Sequence, residues 1–211
     1  MSRTGRPRTF ADDQVVGGAM DVFWRRGYAA TSMRELKDEV GVLPGSLYAA
    51  FGDKHALFLR ALERCADGMR ATGASIPLDG PVLPRLREIL ADVLAGARTD
   101  PGRGCMLGNT ATELLPEDES AGQVVRGAFR AMEDAIEQAL AAARRTGEIR
   151  ADVDCGAQAR HLVVVMQGLH VVARAEPDPQ RLADAIDAAL ASLMPDASGA
   201  SSARSGQGGG S

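Results

Sequence analysis

The sequence predicts an all-α protein, an N-terminal three-helix unit with a helix-turn-helix followed by a larger helical domain. Three observations carry this. Apolar residues recur at three- and four-residue spacing along the chain, and no segment shows the period-two alternation of a half-buried strand. Alanine is abundant while aromatics make up only 4% of 211 residues, which favours closely packed helices.

The first helix is expected over about 11–26, with Val15, Ala19, Val22 and Phe23 on one face and Gly27 as its stop. Ser32-Met33-Arg34-Glu35 then fits a capping box, in which the serine oxygen takes the Glu35 N–H and the glutamate reaches back. Met33, Leu36 and Val40 line the apolar face of this second helix, and Gly41 suits the left-handed position that closes it. Pro44 is placed to open a short third helix, where its missing N–H has no partner to lose. Leu47 and Phe51 point inward, Gly52 ends the helix, and Asp53 is a good N-cap for a fourth.

Composition changes near "GASIPLDGPVLP", a connection to longer helical patterns at about 82–98, 104–115, 119–146, 154–174 and 179–194. The expected organisation is a basic flexible arm (1–10), a helix-turn-helix domain (11–58), a ligand-binding and dimerisation domain (59–194) and a Gly/Ser-rich disordered tail (195–211).

Net charge is −4, but it is unevenly spread. Residues 1–60 carry nine Lys/Arg against seven Asp/Glu, a net of +2 that leaves −6 for the rest; Arg3, Arg6 and Arg8 face no acid in the first ten residues. That is an electrostatic footprint for phosphate at one end of an otherwise acidic chain. The basic start lacks the apolar stretch of a signal peptide, and the longest apolar run, 162–166, is too short to span a bilayer, so a cytoplasmic protein without membrane attachment is expected. Three widely spaced cysteines without a CxxC fit reduced thiols, and no metal site or cofactor is expected.

Two short helices around a glycine turn, the second offering small outward residues, make a helix-turn-helix candidate. Pro44, Gly45, Ser46, Ala49 and Ala50 would let backbone approach DNA closely, while Tyr48 and Lys54 can donate to phosphates. The stretch 19–58 carries F-x-x-x-G-Y (Phe23 to Tyr28), T-S-M-R-x-L (Thr31 to Leu36) and G-V-x-x-G-S-L-Y-x-x-F-x-x-K-x-x-L (Gly41 to Leu57). In these elements it resembles the TetR family of transcriptional regulators, closely over about a quarter of the chain. The resemblance implies phosphate contacts for Thr31, Tyr48 and Lys54, with Ser46 and Ala49 near base edges, Arg34 beside them and the Arg3–Arg8 arm reaching toward a groove. Many relatives carry a polar residue and a lysine where this chain has Leu43 and Pro44, so direct base reading should be thin and shape should carry more of the specificity.

The same resemblance implies a homodimer joined through the last two helices and an effector pocket in the larger domain. Leu162, Val163, Met166, Leu169, Val172, Ile186, Leu190 and Leu193 are the apolar material from which both dimer interface and core must be drawn. Cys105, Asn109 and Thr112 share a face at i, i+4, i+7, flanked by Met106 and Glu113, and polar groups on such a helix need partners. With Phe129, Met132, Met166 and His170 they are the candidate contacts of an unknown small-molecule effector, or else they satisfy neighbouring backbone. Cys105, at a helix start and near Arg103, is expected to have a lowered pKa suited to sensing electrophiles. Control by a protein partner without a pocket is the alternative. An enzyme is not expected, because the sequence shows no nucleophile elbow, phosphate loop or paired metal ligands.

Overall fold

The computed structural model describes residues 8–42, 44–100, 102–176 and 178–195. Arg3, Arg6 and the tail from 196 lie outside them, as do Leu43 and the side chains of Arg8 and Pro44. The described residues form nine helices and no strand: α1 (Arg8–Arg26), α2 (Met33–Val40), α3 (Pro44–Phe51), α4 (Lys54–Ala74), α5 (Val82–Thr99), α6 (Met106–Leu114), α7 (Glu119–Thr146), α8 (Cys155–Ala175) and α9 (Pro179–Ala191).

Local signals set most boundaries. Ser32 Oγ takes the Glu35 N–H at 3.2 Å, and Glu35 Oε2 takes the Ser32 N–H at 2.8 Å. Gly41 closes α2 at φ 67°, and Asp53, Asp118, Asp154 and Asp178 each cap the helix that follows them. The start of α1 lies three residues ahead of the expected one, and α6 is shorter than expected because Cys105 is its N-cap.

Packing divides the interior into two clusters. One joins α5, α8, α9 and the C-terminal half of α7, and includes Leu90, Met132, Leu140, Leu162, Met166, Ile186 and Leu193. The other joins α1–α4, yet it also takes Met106 and Leu107 of α6 and Ala121, Val125 and Ala128 of α7. With 28 residues, α7 is roughly 42 Å long and serves both clusters. Position 58, the expected domain limit, falls inside α4, continuous from Lys54 to Ala74. Where α4 crosses α7, a Cβ at Gly73 would stand only 3.1 Å from that of Ala135. The head is therefore seated on the larger half through buried apolar surface.

Candidate nucleic-acid interface and effector cavity

α3 turns Leu47 (1% exposed) into the head and leaves Gly45, Ser46, Tyr48, Ala49 and Ala50 outward, Tyr48 with half its surface open. Ser46 and Tyr48 are the only groups on that face with side-chain hydrogen-bonding atoms. Around it, most cations are tied to acids: Arg25 to Glu39 at 3.2 Å, Arg26 to Glu35, and Lys37 to Asp38 at 3.2 Å. Between residues 12 and 53, Arg34 alone among the described side chains is an exposed cation with no acidic partner.

Two residues expected at phosphates are occupied elsewhere. Thr31 is 2% exposed and its hydroxyl donates to the Gly27 carbonyl at 2.6 Å. Lys54 Nζ donates to the Tyr28 and Thr31 carbonyls, both at 3.0 Å, and lies 4.1 Å from the centre of the Tyr28 ring. In the free protein these side chains brace the 27–31 turn against α4. What the start of α4 still offers is backbone, since Asp53 accepts the Ala56 N–H at 2.7 Å and leaves the Lys54 and His55 N–H groups at an open helix end.

Beneath the head, α6 is bonded to it at both ends. Ahead of the helix, Gly104 accepts the Trp24 indole N–H at 3.0 Å, and Arg103 lies over that indole while pairing with Asp21 at 2.5 Å. Near its other end, Glu113 accepts the Tyr28 and Ala29 N–H groups at 3.0 and 2.7 Å. Gly27 permits this twice over, by its φ of +83° and because a Cβ there would sit 2.8 Å from Glu113 Oε2. Glu113, expected toward an effector, thus faces the head. His55 adds a further tie, its Nε2 2.7 Å from Asp118, the N-cap of α7. Partial burial opposes ionisation of Asp118, but the Ala121 N–H and the His55 ring hold its carboxyl below the ordinary range.

On its other side α6 walls a cavity of about 450 Å³ closed by α7 and α8, within the usual size of a small-molecule site. Cys105, Asn109, Thr112, Phe129 and His170, five of the candidate effector contacts, line it. Met106, Met132 and Met166 are instead buried in the two cores and are not on the wall. The sequence reading missed Gln167 and Arg174, which also line the cavity. Gly108 makes room for this glutamine, because a Cβ there would lie 2.5 Å from Gln167 Oε1.

At Cys105 the structure corrects the sequence reading. It is 8% exposed, and its sulfur accepts the Gly108 N–H at 3.5 Å. Burial pushes its thiol pKa up, overriding the hydrogen bonds of Gly108 and Gln167 that work the other way. Arg103, expected to favour the thiolate, spends its charge on Asp21. Cys65, half-buried close by, is pushed up to about 12, mainly by burial.

The outer face of α8 presents Val164 and Val171, each 69% exposed and two turns apart. The apolar residues singled out in the sequence on α8 and α9 are buried inside the chain, apart from the half-buried Val172. Among the described residues no helix is long and apolar enough to cross a membrane, and no group of three or more His, Cys, Asp or Glu could hold a metal ion.

A capped helix-turn-helix with a small, exposed second helix, seated on a helical domain with a cavity, defines a DNA-binding regulator. Comparison with known proteins agrees. Residues 15–61 match the family described as bacterial regulatory proteins, tetR family, and residues 82–189 match the tetracyclin repressor-like C-terminal domain. The uncharacterized HTH-type transcriptional regulator YezE of Bacillus subtilis (strain 168) is 31% identical over 193 residues, 90% of this chain and 99% of that one. The HTH-type transcriptional repressor ComR of Escherichia coli (strain K12) is 30% identical over 176 residues, 81% of this chain and 82% of that one. A cysteine mutant of the TetR family regulator CifR, solved with 26-bp double-strand operator DNA, superposes with a TM-score of 0.73 at 29% identity, covering 90% of this chain and all of that one. The chain belongs to the TetR family of transcriptional regulators.

Proposed function

We propose that this protein is a homodimeric repressor that binds operator DNA through α3 and the start of α4 and is released by a small molecule held in the α6–α8 cavity. The observation that carries the reading is α6 itself: one face walls the cavity while both ends are bonded to the head, at Gly104 and at Glu113. A ligand that moved α6 would act on the Tyr28–Ala29 turn, which Lys54 ties to the start of α4. The repressor names of several relatives and the operator complex of CifR support the direction of control.

On DNA, Tyr48 and the Lys54 and His55 N–H groups would hold phosphates, while Arg34, Ser46, Gly45 and Ala49 would meet base edges and thymine methyls. Arg3, Arg6 and Arg8 would follow an adjacent groove. Val164 would sit at the centre of the α8–α9 contact between two copies, with Val171 at its edge beside the cavity, so Val164→Asp should leave a folded monomer in sedimentation analysis.

The test is a gel shift on the DNA upstream of the chain's own gene, repeated across salt concentrations and small-molecule extracts. Specific binding that weakens steeply with salt and is lost on adding an extract fraction is the expected result. Binding indifferent to salt would sink the phosphate-dominated mode. Release by a protein fraction alone would favour control by a protein partner.

A further inference from the structure

We infer that the α6–α8 cavity selects a monocarboxylate with an apolar body and a second acceptor oxygen, held without a covalent bond; this rests on the cavity being the effector site. Arg174 carries the one formal charge on the wall, and no carboxylate lines it. Its polar contact is Asn109 Oδ1 at 3.4 Å, a weak partner for a guanidinium that can take a carboxylate with two parallel bonds. Arg103 is not available, being engaged by Asp21 and stacked on Trp24. His170 adds no second charge near neutral pH, because burial pushes its pKa down. One positive charge calls for one negative charge.

Gln167 Nε2 is buried with no oxygen or nitrogen acceptor in reach; beside it stands only the Cys105 sulfur, a weak acceptor, which is an unusual condition for a buried amide. Gln167, Val171 and Arg174 follow at i, i+4, i+7 on α8, so they share one face of the helix. Gln167 and Arg174 lie about 10 Å apart along the axis by helix rise, less the reach of the arginine, whose side chain leans toward the helix start. A ligand with its carboxylate at Arg174 can set a keto, ether or hydroxyl oxygen at Gln167. Between these groups Phe129, Ala111 and Val171 offer apolar surface. The polar atoms of Asn109 and Thr112 are partly spent, Asn109 Nδ2 on the Arg103 carbonyl at 3.0 Å and the Thr112 hydroxyl on the Asn109 carbonyl at 2.9 Å. Cys105 lies on the same wall as a protonated thiol, which places it against the ligand as a small soft contact.

The experiment uses the full chain and three probes: 4-oxo-4-phenylbutyrate, its primary amide, and 4-phenylbutyrate, each titrated by calorimetry and in the gel shift. The oxo acid should bind, with the amide weaker by about tenfold and the acid lacking the ketone weaker by several-fold. Arg174→Met should erase the difference between acid and amide, and Gln167→Leu the difference between the two acids. An amide that binds as tightly as its acid, or an Arg174→Met chain that weakens both equally, overturns the inference. N-Ethylmaleimide is run in parallel. Release of DNA by maleimide but by none of the three probes overturns the carboxylate and leaves effector control standing. If none of the four binds or releases DNA, this inference falls, while the effector reading stands or falls by the extract fractions of the gel shift.

Discussion

On α3 the outward side chains are small or singly polar and stand in water, whereas the cavity wall sets the half-buried Gln167 and His170 in largely apolar surroundings, with Arg174 exposed at its edge. The same kinds of group therefore have different worth. A hydrogen bond made by Ser46 or Tyr48 replaces one already made to solvent, and its net value is modest, about 0.5–1.5 kcal/mol. A buried amide left without an acceptor loses more, so the cavity can discriminate among ligands more sharply than α3 can among bases. The head gains its affinity from placement, and the cavity its selectivity from desolvation.

That contrast assumes that the head and the cavity half are mechanically joined. The strongest way to break it is at Leu107, on α6 but 1% exposed within the head's core. Leu107→Ala should cost about 2–5 kcal/mol, and thermal unfolding should remain a single transition shifted to lower temperature. Two separate transitions, with the head melting alone, would show that the cores are independent.

A smaller effect is expected at Gly27. Alanine there must adopt a left-handed backbone, at about 1–2 kcal/mol, and must also push Glu113 away from the Tyr28 and Ala29 N–H groups. The sharper readout is coupling. Glu113→Gln, which keeps the volume and weakens two charge-assisted bonds, should leave effector affinity within about twofold while reducing the effector's power to release DNA. An unchanged release curve would remove Glu113 from the connection.

What could be read in the sequence follows the range of the interactions. Ser32 with Glu35, Asp53 with Ala56, and Gly41 act within three or four residues, so the second to fourth helices were legible from local chemistry. The stripe Cys105–Asn109–Thr112 was legible for the same reason, since helical period alone puts three residues on one face. The bracing roles of Thr31 and Lys54 were not legible: Lys54 reaches carbonyls 23 and 26 residues away that only the fold brings to it, and the Thr31 bond to Gly27, though only four residues long, closes a turn outside any helix. Gln167 and Arg174 were missed because the cavity exists only when α8 meets α6, some 60 residues earlier. On α8 the sequence offered Leu162, Val163 and Met166 together with Val164; packing alone decides that Val164 faces out.

On the DNA side the predicted effects are smaller. Arg34→Ala should weaken operator binding several-fold, in one of two patterns. If Arg34 meets a phosphate, affinity falls evenly across operator variants and the salt slope drops by about 1. If it meets a base, one operator position becomes tolerant. Tyr48→Phe should give the first pattern only, because a phenol serving a phosphate carries no sequence information.

The smallest effects are expected at the thiols, where they test the corrected view of Cys105. With its folded pKa raised, the unfolded chain gives up the proton first as pH climbs past the ordinary thiol range, about 8.5. The unfolded state then binds fewer protons than the native one, so stability is full below that range and falls above it. Cys65 works in the same direction. The wild-type chain should therefore lose stability between neutral and alkaline pH more steeply than the Cys65→Ala, Cys105→Ala double variant, measured by denaturant midpoint. In the native protein, alkylation of Cys105 by iodoacetamide should be slower than that of a free thiol at neutral pH, and should keep rising with pH beyond the point where a free thiol levels off. Rapid modification at neutral pH would restore a thiolate at the head of α6, and with it a cavity that reacts with its effector instead of holding it by charge.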